Sequence, residues 1–490
     1  MIWTTDSIFE ALGSALPAGM RPLTIDAIRL DPDECSPGSL FVPSTYSLSR
    51  IGRWPNEEAA ILAAIGRGAS AALTNLTRTK FNVAVPVLRL ASGPSATVEP
   101  TVGALIAMAR YARAAFGGRV IAITGSVGKT TTKDMVHHVL AQHRRSFKTA
   151  ANRNSIAGIC QTVINLPSDS EYCVLEVGAT QRGHMRHALV ARPEIGIVTN
   201  VGLSHLENYG SAHEIAQEKL SLFDHLEGER IGFLGSGILE GDGALRSLVR
   251  EKGVYRLITV GFRRDDDIHV SDVESDGVSS AGTMSIFGRP VRFRLPLPGR
   301  HFLSSAMFAA GVGCMSGLDA DAAVGALATA MPTERRSERF KILRADGAIE
   351  LIDDSYNAAP ASVEALLDAL GLRTARRKVL VLGDMLELGA CAASIHEEIA
   401  QHVGRVGIDL LVTVGELSEL AAAGMPIAAT RHFADALAAS RAVPGLLRAS
   451  DLVAVKGSSA VGLDKVVAAI AQAGSCSPAG SWRIDRDTAF

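Results

Sequence analysis

The sequence predicts a three-domain α/β protein. A central, doubly wound and mostly parallel sheet carries a phosphate loop. A Rossmann-like α/β domain follows it, and a smaller α/β domain precedes it. Three observations carry this prediction. Short apolar runs ending in polar residues alternate with helical segments through the middle and last thirds, which is how parallel strands buried on both faces read. One of these runs ends in Thr124-Gly125-Ser126-Val127-Gly128-Lys129-Thr130-Thr131-Thr132 and opens a helix, the context a phosphate loop needs. With 490 residues, the chain has room for two to four domains.

The elements follow in order. In the first third, residues 39–43 read as a strand after the Pro37-Gly38 turn, 57–68 as an Ala-rich helix and 69–74 as a strand. Residues 101–116 read as a helix with Leu105, Met108, Ala109 and Ala112 on one face, broken by Gly117-Gly118. The first domain is therefore set at 1–116. Strands are expected at 120–123, 172–175, 195–198, 230–234 and 257–260, and a helix at 133–142. The alternation in 291–295 suggests a small antiparallel addition. The central domain is set at 117–332, and the polar segment 331–339 reads as a hinge. Strands at 350–354, 378–383, 410–414 and 452–457 define a third domain, 333–472, and 473–490 reads as a loose tail.

Composition removes several classes. Hydrophobic residues make up 47% and charged residues 20%, so long disorder is not expected. Lys+Arg is 49 and Asp+Glu is 51, which leaves no global basic excess for nucleic acid. Cys35, Cys160, Cys173, Cys314, Cys391 and Cys476 form no CxxC pair, so a zinc cluster is not expected and a reducing cytoplasm fits. The N-terminus does not read as a signal peptide, and no run is long and apolar enough for membrane insertion. The expected partners are small molecules, with the chain acting as a monomer.

The phosphate loop is the most specific chemical signal. Gly125, Ser126 and Gly128 let backbone N–H groups converge on phosphate, aided by the helix N-terminus. Lys129 is placed to reach the terminal phosphates of ATP, and the Thr130 hydroxyl to hold Mg²⁺, with Thr131 beside it. Position 123 is Ile where the common pattern has glycine, giving a compact TGxxGKTT form.

With this form in place, the chain resembles the Mur ligase family of ATP-dependent amide-bond ligases over roughly residues 100–470. Thr149-Ala150-Ala151-Asn152-Arg153-Asn154 is similar to its Asn-rich substrate loop. Glu176 matches a metal-binding Glu, and His205 a metal-binding His in Thr199-Asn200-Val201-Gly202-Leu203-Ser204-His205. Lys219, fourteen residues after His205, matches a lysine that many members carbamylate. Arg336 matches the hinge arginine. Asp354, Tyr356 and Asn357 lie in a block that closes over ATP. Residues 382–389 (LGDMLELG) resemble the family's D-Ala-D-Ala-adding branch, and Lys456 sits in a Lys-Gly-Ser block. Taken alone, each is an ordinary cap, turn or surface residue; their order behind a phosphate loop ties them together. The resemblance implies ATP and Mg²⁺ as cofactors. It implies Lys129, Glu176, His205 and Lys219 as catalytic, Thr130, Glu176, His205 and Lys219 as metal-holding, and Asn152, Asn154 and Lys456 as substrate-binding. The implied reaction passes through an acyl phosphate.

The departures lie at substrate positions. Where the family has Ser-x-Asp-Ser-Arg, this chain has Arg29-Leu30-Asp31-Pro32-Asp33. A further block is replaced by residues 44–54. His301-Phe302-Leu303-Ser304-Ser305-Ala306 lacks two usual asparagines, Gly183-His184 replaces Gly-Glu, and Ser459 replaces an arginine. Two other readings follow: the same chemistry on a different acid and amine, and a nucleotide-binding paralogue without catalysis.

Overall fold

The computed structural model describes residues 2–16, 20, 22–44, 54–76, 81–90, 99–202, 205–239, 243–423 and 429–478. Three larger sheets organise them. Near the N-terminus, Ala27–Arg29, Ser39–Phe41, Ala71–Thr74 and Val87–Arg89 form an all-parallel sheet in that order. Trp3–Thr4 pairs antiparallel with Thr24–Ile25 beside it.

The central sheet has nine strands. From one edge they run Arg289–Leu295, Ser280–Ile286, Ile268–Ser275, Arg256–Gly261, Ile231–Gly235, Ile195–Val198, Arg119–Thr124, Tyr172–Glu176 and Ser146–Lys148. Only the pairings among the first three are antiparallel. The strand Arg119–Thr124 is clad on both faces, as a central parallel strand must be. Ile121 and Ile123 join a core with Val136 and Phe308 from the helices Lys129–Ala141 and Arg300–Met315. Val120 and Ala122 point the other way, into a core with Met108 and Ile159 from Pro100–Ala115 and Ile156–Ile164. Each fully buried Ile or Phe contributes roughly 1.5–3 kcal/mol by this burial.

The third sheet orders Thr430–Phe433, Leu410–Val414, Arg377–Gly383, Asp451–Lys456, Gly347–Asp354, Glu338–Arg344 and Ser475–Pro478. Its first four pairings are parallel and its last two antiparallel. The apolar clusters divide cleanly. Those of the first two sheets end at Ala330, and those of the third begin at Ile342.

Three expectations change. The helix after the phosphate loop starts at Lys129, not 133, because Gly128 at φ +79 supplies the left-handed turn and the threonines wind into the first turn. The end of the expected hinge is already strand, beginning at Glu338. The tail is not loose from 473: Ser475–Pro478 pairs with Glu338–Arg344 as an edge strand, held by main-chain hydrogen bonds that small polar residues allow. Most of the divergent 44–54 stretch, together with Leu203 and Ser204, lies outside the described residues.

Candidate active site

The phosphate loop sits at the C-terminal end of Arg119–Thr124, where open α/β sheets bind ligands. Its shape is fixed by the neighbouring strand. Asn200 Oδ1 accepts from the Val127 N–H at 3.0 Å, while Asn200 Nδ2 and Thr199 Oγ1 donate to the Val127 carbonyl at 3.1 and 2.8 Å. Ser126 Oγ accepts from the Gly202 N–H at 2.8 Å. Gly125 has φ +150, and a Cβ there would lie 1.9 Å from Thr199 Oγ1, so only glycine fits. Thr199 and Asn200 stand in the block before His205, but their bracing role follows only from strand pairing.

Lys129 Nζ donates to the Gly125 and Ser126 carbonyls at 2.8 and 3.1 Å. Burial lowers its ammonium pKa, and the Glu176 carboxylate opposes the shift. Two regions meet at this lysine. On one side lies a cleft of about 310 Å³ between the central and third sheets. It is lined by the loop through Thr132, by Asn200, Phe262, Arg300 and Ser305, and by Arg336, Asp354, Asn357 and Lys456 of the third domain. Arg336 Nη2 donates to Thr130 Oγ1 at 3.0 Å, and its guanidinium lies 4.2 Å from the Tyr356 ring centre. Lys456 Nζ donates to Asp354 Oδ2 at 2.6 Å and to the Asn357 carbonyl at 3.0 Å. Arg300 stacks 4.0 Å over Phe262, and Ser305 Oγ accepts from Thr132 Oγ1 at 3.0 Å. Phe262, Arg300 and Ser305 carried no sequence signal beyond the altered His301 block. His301, buried near Lys456, has its pKa pushed down to about 4.

On the other side are Glu176, Lys219 and His205. Asn154 Nδ2 donates to Glu176 Oε1 at 2.7 Å, and Glu176 Oε2 is buried without a partner. Asn154 fits because Gly178 leaves room: a Cβ there would lie 2.7 Å from Asn154 Oδ1. Asn152 is not brought to Glu176 by any side-chain bond; its carbonyl accepts from the Asn154 N–H at 2.7 Å and shapes the loop. Arg153 turns away to Glu34 and to Gln161. Lys219 is buried, and burial followed by the nearby Lys129 charge pushes it down to about 7. His205 Nδ1 lies 2.7 Å from Glu387 Oε2 of the third domain. That contact holds the Glu387 carboxyl below its usual range, with Lys129 adding to the effect. Among the described residues, no three His, Cys, Asp or Glu side chains cluster to hold a metal by themselves.

This arrangement defines the class: a nucleotide-dependent α/β enzyme whose phosphate loop faces a second α/β domain. Residues 123–313 match the Mur ligase middle domain, and 338–459 match the Mur ligase, glutamate ligase domain. The UDP-N-acetylmuramoyl-tripeptide–D-alanyl-D-alanine ligase of Escherichia coli (strain K12) is 30% identical, covering 93% of this chain and 95% of its own length. The enzyme of the same name from Bacillus subtilis (strain 168) is 34% identical over 69% of this chain and 70% of its own. A solved MurF ligase from Thermotoga maritima, in complex with ADP, superposes with a TM-score of 0.71 at 24% identity, covering 91% of this chain and 97% of that one. The chain belongs to the Mur ligase family. No helix among the described residues is long and apolar enough to cross a membrane.

Proposed function

We propose that this chain is the ATP-dependent ligase that joins the carboxylate of a UDP-N-acetylmuramoyl-tripeptide to the amine of D-alanyl-D-alanine in peptidoglycan synthesis, acting as a cytoplasmic monomer. The observation that carries this reading is Lys129, shared by the nucleotide cleft and by the Glu176, Lys219 and His205 side. Residues 1–116 take the acid, 117–332 the nucleotide, and 333–472 the amine.

A carboxylate is a poor electrophile for an amine. ATP's γ-phosphoryl passes to it, giving ADP and an acyl phosphate. The amine then attacks the carbonyl and gives up one proton, and the amide forms as phosphate leaves with the bonding electrons. Lys129 and the loop N–H groups stabilise charge on the transferring phosphoryl. Arg336 and Tyr356 fix the third domain over the nucleotide, which keeps water from the acyl phosphate. Asn154 and Lys456 position the substrates from the two sides of the cleft.

The unpartnered Glu176 Oε2 and the Thr130 hydroxyl fit a divalent cation, with His205 and Lys219 completing its surroundings. Mg²⁺ bound there would neutralise phosphate charge. Lys219 is suited to carbamylation. With its pKa down to about 7, much of it is the neutral amine, which adds CO₂ and releases one proton to become a carbamate anion.

A second reading, the same chemistry on another acid, draws on the N-terminal domain. Asp33 stands where the resembled block has a cation, and it is ion-paired with Arg67. Phosphate release from ATP and Mg²⁺ decides between the two. Turnover that needs both UDP-N-acetylmuramoyl-tripeptide and D-alanyl-D-alanine, and is lost in Lys129→Ala, supports the first. Intact ATP binding without turnover on that pair overturns it.

A further inference from the structure

Glu387 belongs to the third domain, yet its carboxylate sits at the reacting side of the central one. The loop that carries it is braced by side-chain and main-chain hydrogen bonds. Asp384 Oδ1 accepts from the Ser418 N–H at 2.7 Å, and its carbonyl accepts from the Ser458 N–H at 3.0 Å. His396, fully buried, accepts from the Met385 N–H at 3.0 Å through Nε2, while its Nδ1 lies 2.7 Å from the Ala392 carbonyl. Ser458 Oγ accepts from the Leu386 N–H at 3.0 Å. The next residue, Glu387, takes φ +65, a left-handed backbone that a non-glycine residue adopts at a cost. Facing it, His205 takes φ +62 at the start of Leu206–Tyr209. Two strained residues from two domains thus bring Oε2 and Nδ1 within 2.7 Å, an ion-pair contact too bent for an aligned hydrogen bond, at a buried nitrogen that has no hydrogen-bond partner. Among the described residues Glu387 has no other ion pair, and its side chain is 57% exposed.

The chemistry of imidazole gives this contact a direction. A neutral ring carries one proton, and a carboxylate against Nδ1 keeps the proton there. The lone pair is then on Nε2, the nitrogen left for a ligand. Histidines that hold metals are commonly oriented in this way by a carboxylate on the other nitrogen.

We infer that Glu387 is a positioning residue for His205, supplied across the domain interface, so that the central domain's cation site is complete only when the third domain is closed on it. The inference rests on the proposed role of His205 and deepens it. Closure then does two things at once: it covers the nucleotide through Arg336, and it sets the histidine through Glu387.

The test uses the full-length protein and Mn²⁺ as the probe, read by electron paramagnetic resonance in the presence of ADP, so that no turnover is needed. Glu387→Ala is expected to weaken Mn²⁺ binding about 10- to 100-fold, the range for loss of such an outer partner, with ADP affinity and melting temperature close to wild type. Glu387→Gln, which keeps an acceptor oxygen for the Nδ1 proton, is expected to recover most of the loss. His205→Ala, combined with Glu387→Ala, should weaken Mn²⁺ no further than His205→Ala alone. Wild-type Mn²⁺ affinity in Glu387→Ala, or additive losses in the double variant, would overturn the inference. Because the readout is independent of both substrates, a failure of the proposed reaction leaves it standing. The two failures are therefore distinguishable.

Discussion

Lys219 shows how much one buried side chain controls. Its folded pKa of about 7 lies below the ~10.4 of an exposed lysine. Between those values the unfolded chain binds more protons than the folded one, so stability rises with pH across this window. The penalty is fully present below about pH 7 and disappears above the unfolded pKa. Melting curves of wild type and Lys219→Met should converge or cross as pH rises from 7 to 10. Parallel curves would mean that the amine is already masked as a carbamate. Lys219→Ala should lose most turnover and regain part of it with added short carboxylates; no regain would remove the carbamate role. Lys219 is legible in the sequence only through the family resemblance, which matches it fourteen residues after His205. Its burial, and the Lys129 charge beside it, are products of the fold. Asn200 was less legible still, because a bracing side chain looks like any turn asparagine until its strand is paired.

At the scale of elements, the helix Pro100–Ala115 is stapled to the central sheet by one arginine. Arg113 Nε donates to the Ala191 carbonyl at 2.7 Å, Nη1 to the Phe116 carbonyl at 3.0 Å and Nη2 to Glu194 at 2.6 Å. Glu194 Oε2 in turn accepts from the Val120 N–H at 2.7 Å, at the base of the phosphate-loop strand. Arg113→Ala would leave a partly buried carboxylate and three carbonyls short of donors, and should cost about 3 kcal/mol in urea unfolding. A loss below about 1 kcal/mol would show water replacing the guanidinium without penalty. The strands were readable because burial on both faces forces apolar runs such as residues 120–123 and 410–414. The start of the phosphate-loop helix was not, since three threonines resemble a loop until Gly128 turns the chain. Nor was Ser475–Pro478 readable, because its pairing uses main-chain groups that composition does not report.

For the whole molecule, polar side-chain bonds tie the second domain to the third. Thr333 Oγ1 donates to Asp134 Oδ2 at 2.6 Å at the hinge, and Arg336 reaches Thr130. Arg336→Ala should raise KM for ATP roughly tenfold, the value of one charged hydrogen bond, with a smaller change in KM for the acid. Equal rises in both would place the arginine in general closure instead. The division of the apolar clusters at residues 330–342 has a further consequence. The first two domains share one core, running from Trp3 to Val249, so the N-terminal domain and the phosphate-loop domain are mechanically one body. The third domain has apolar cores of its own beyond the short polar segment. A protease cutting within 331–337 should leave two fragments that each keep their fold. In evolutionary terms, the third domain is a replaceable cartridge: on the proposed division of roles, a new amine is adopted by exchanging it, whereas a new acid requires altering the body that carries the phosphate loop.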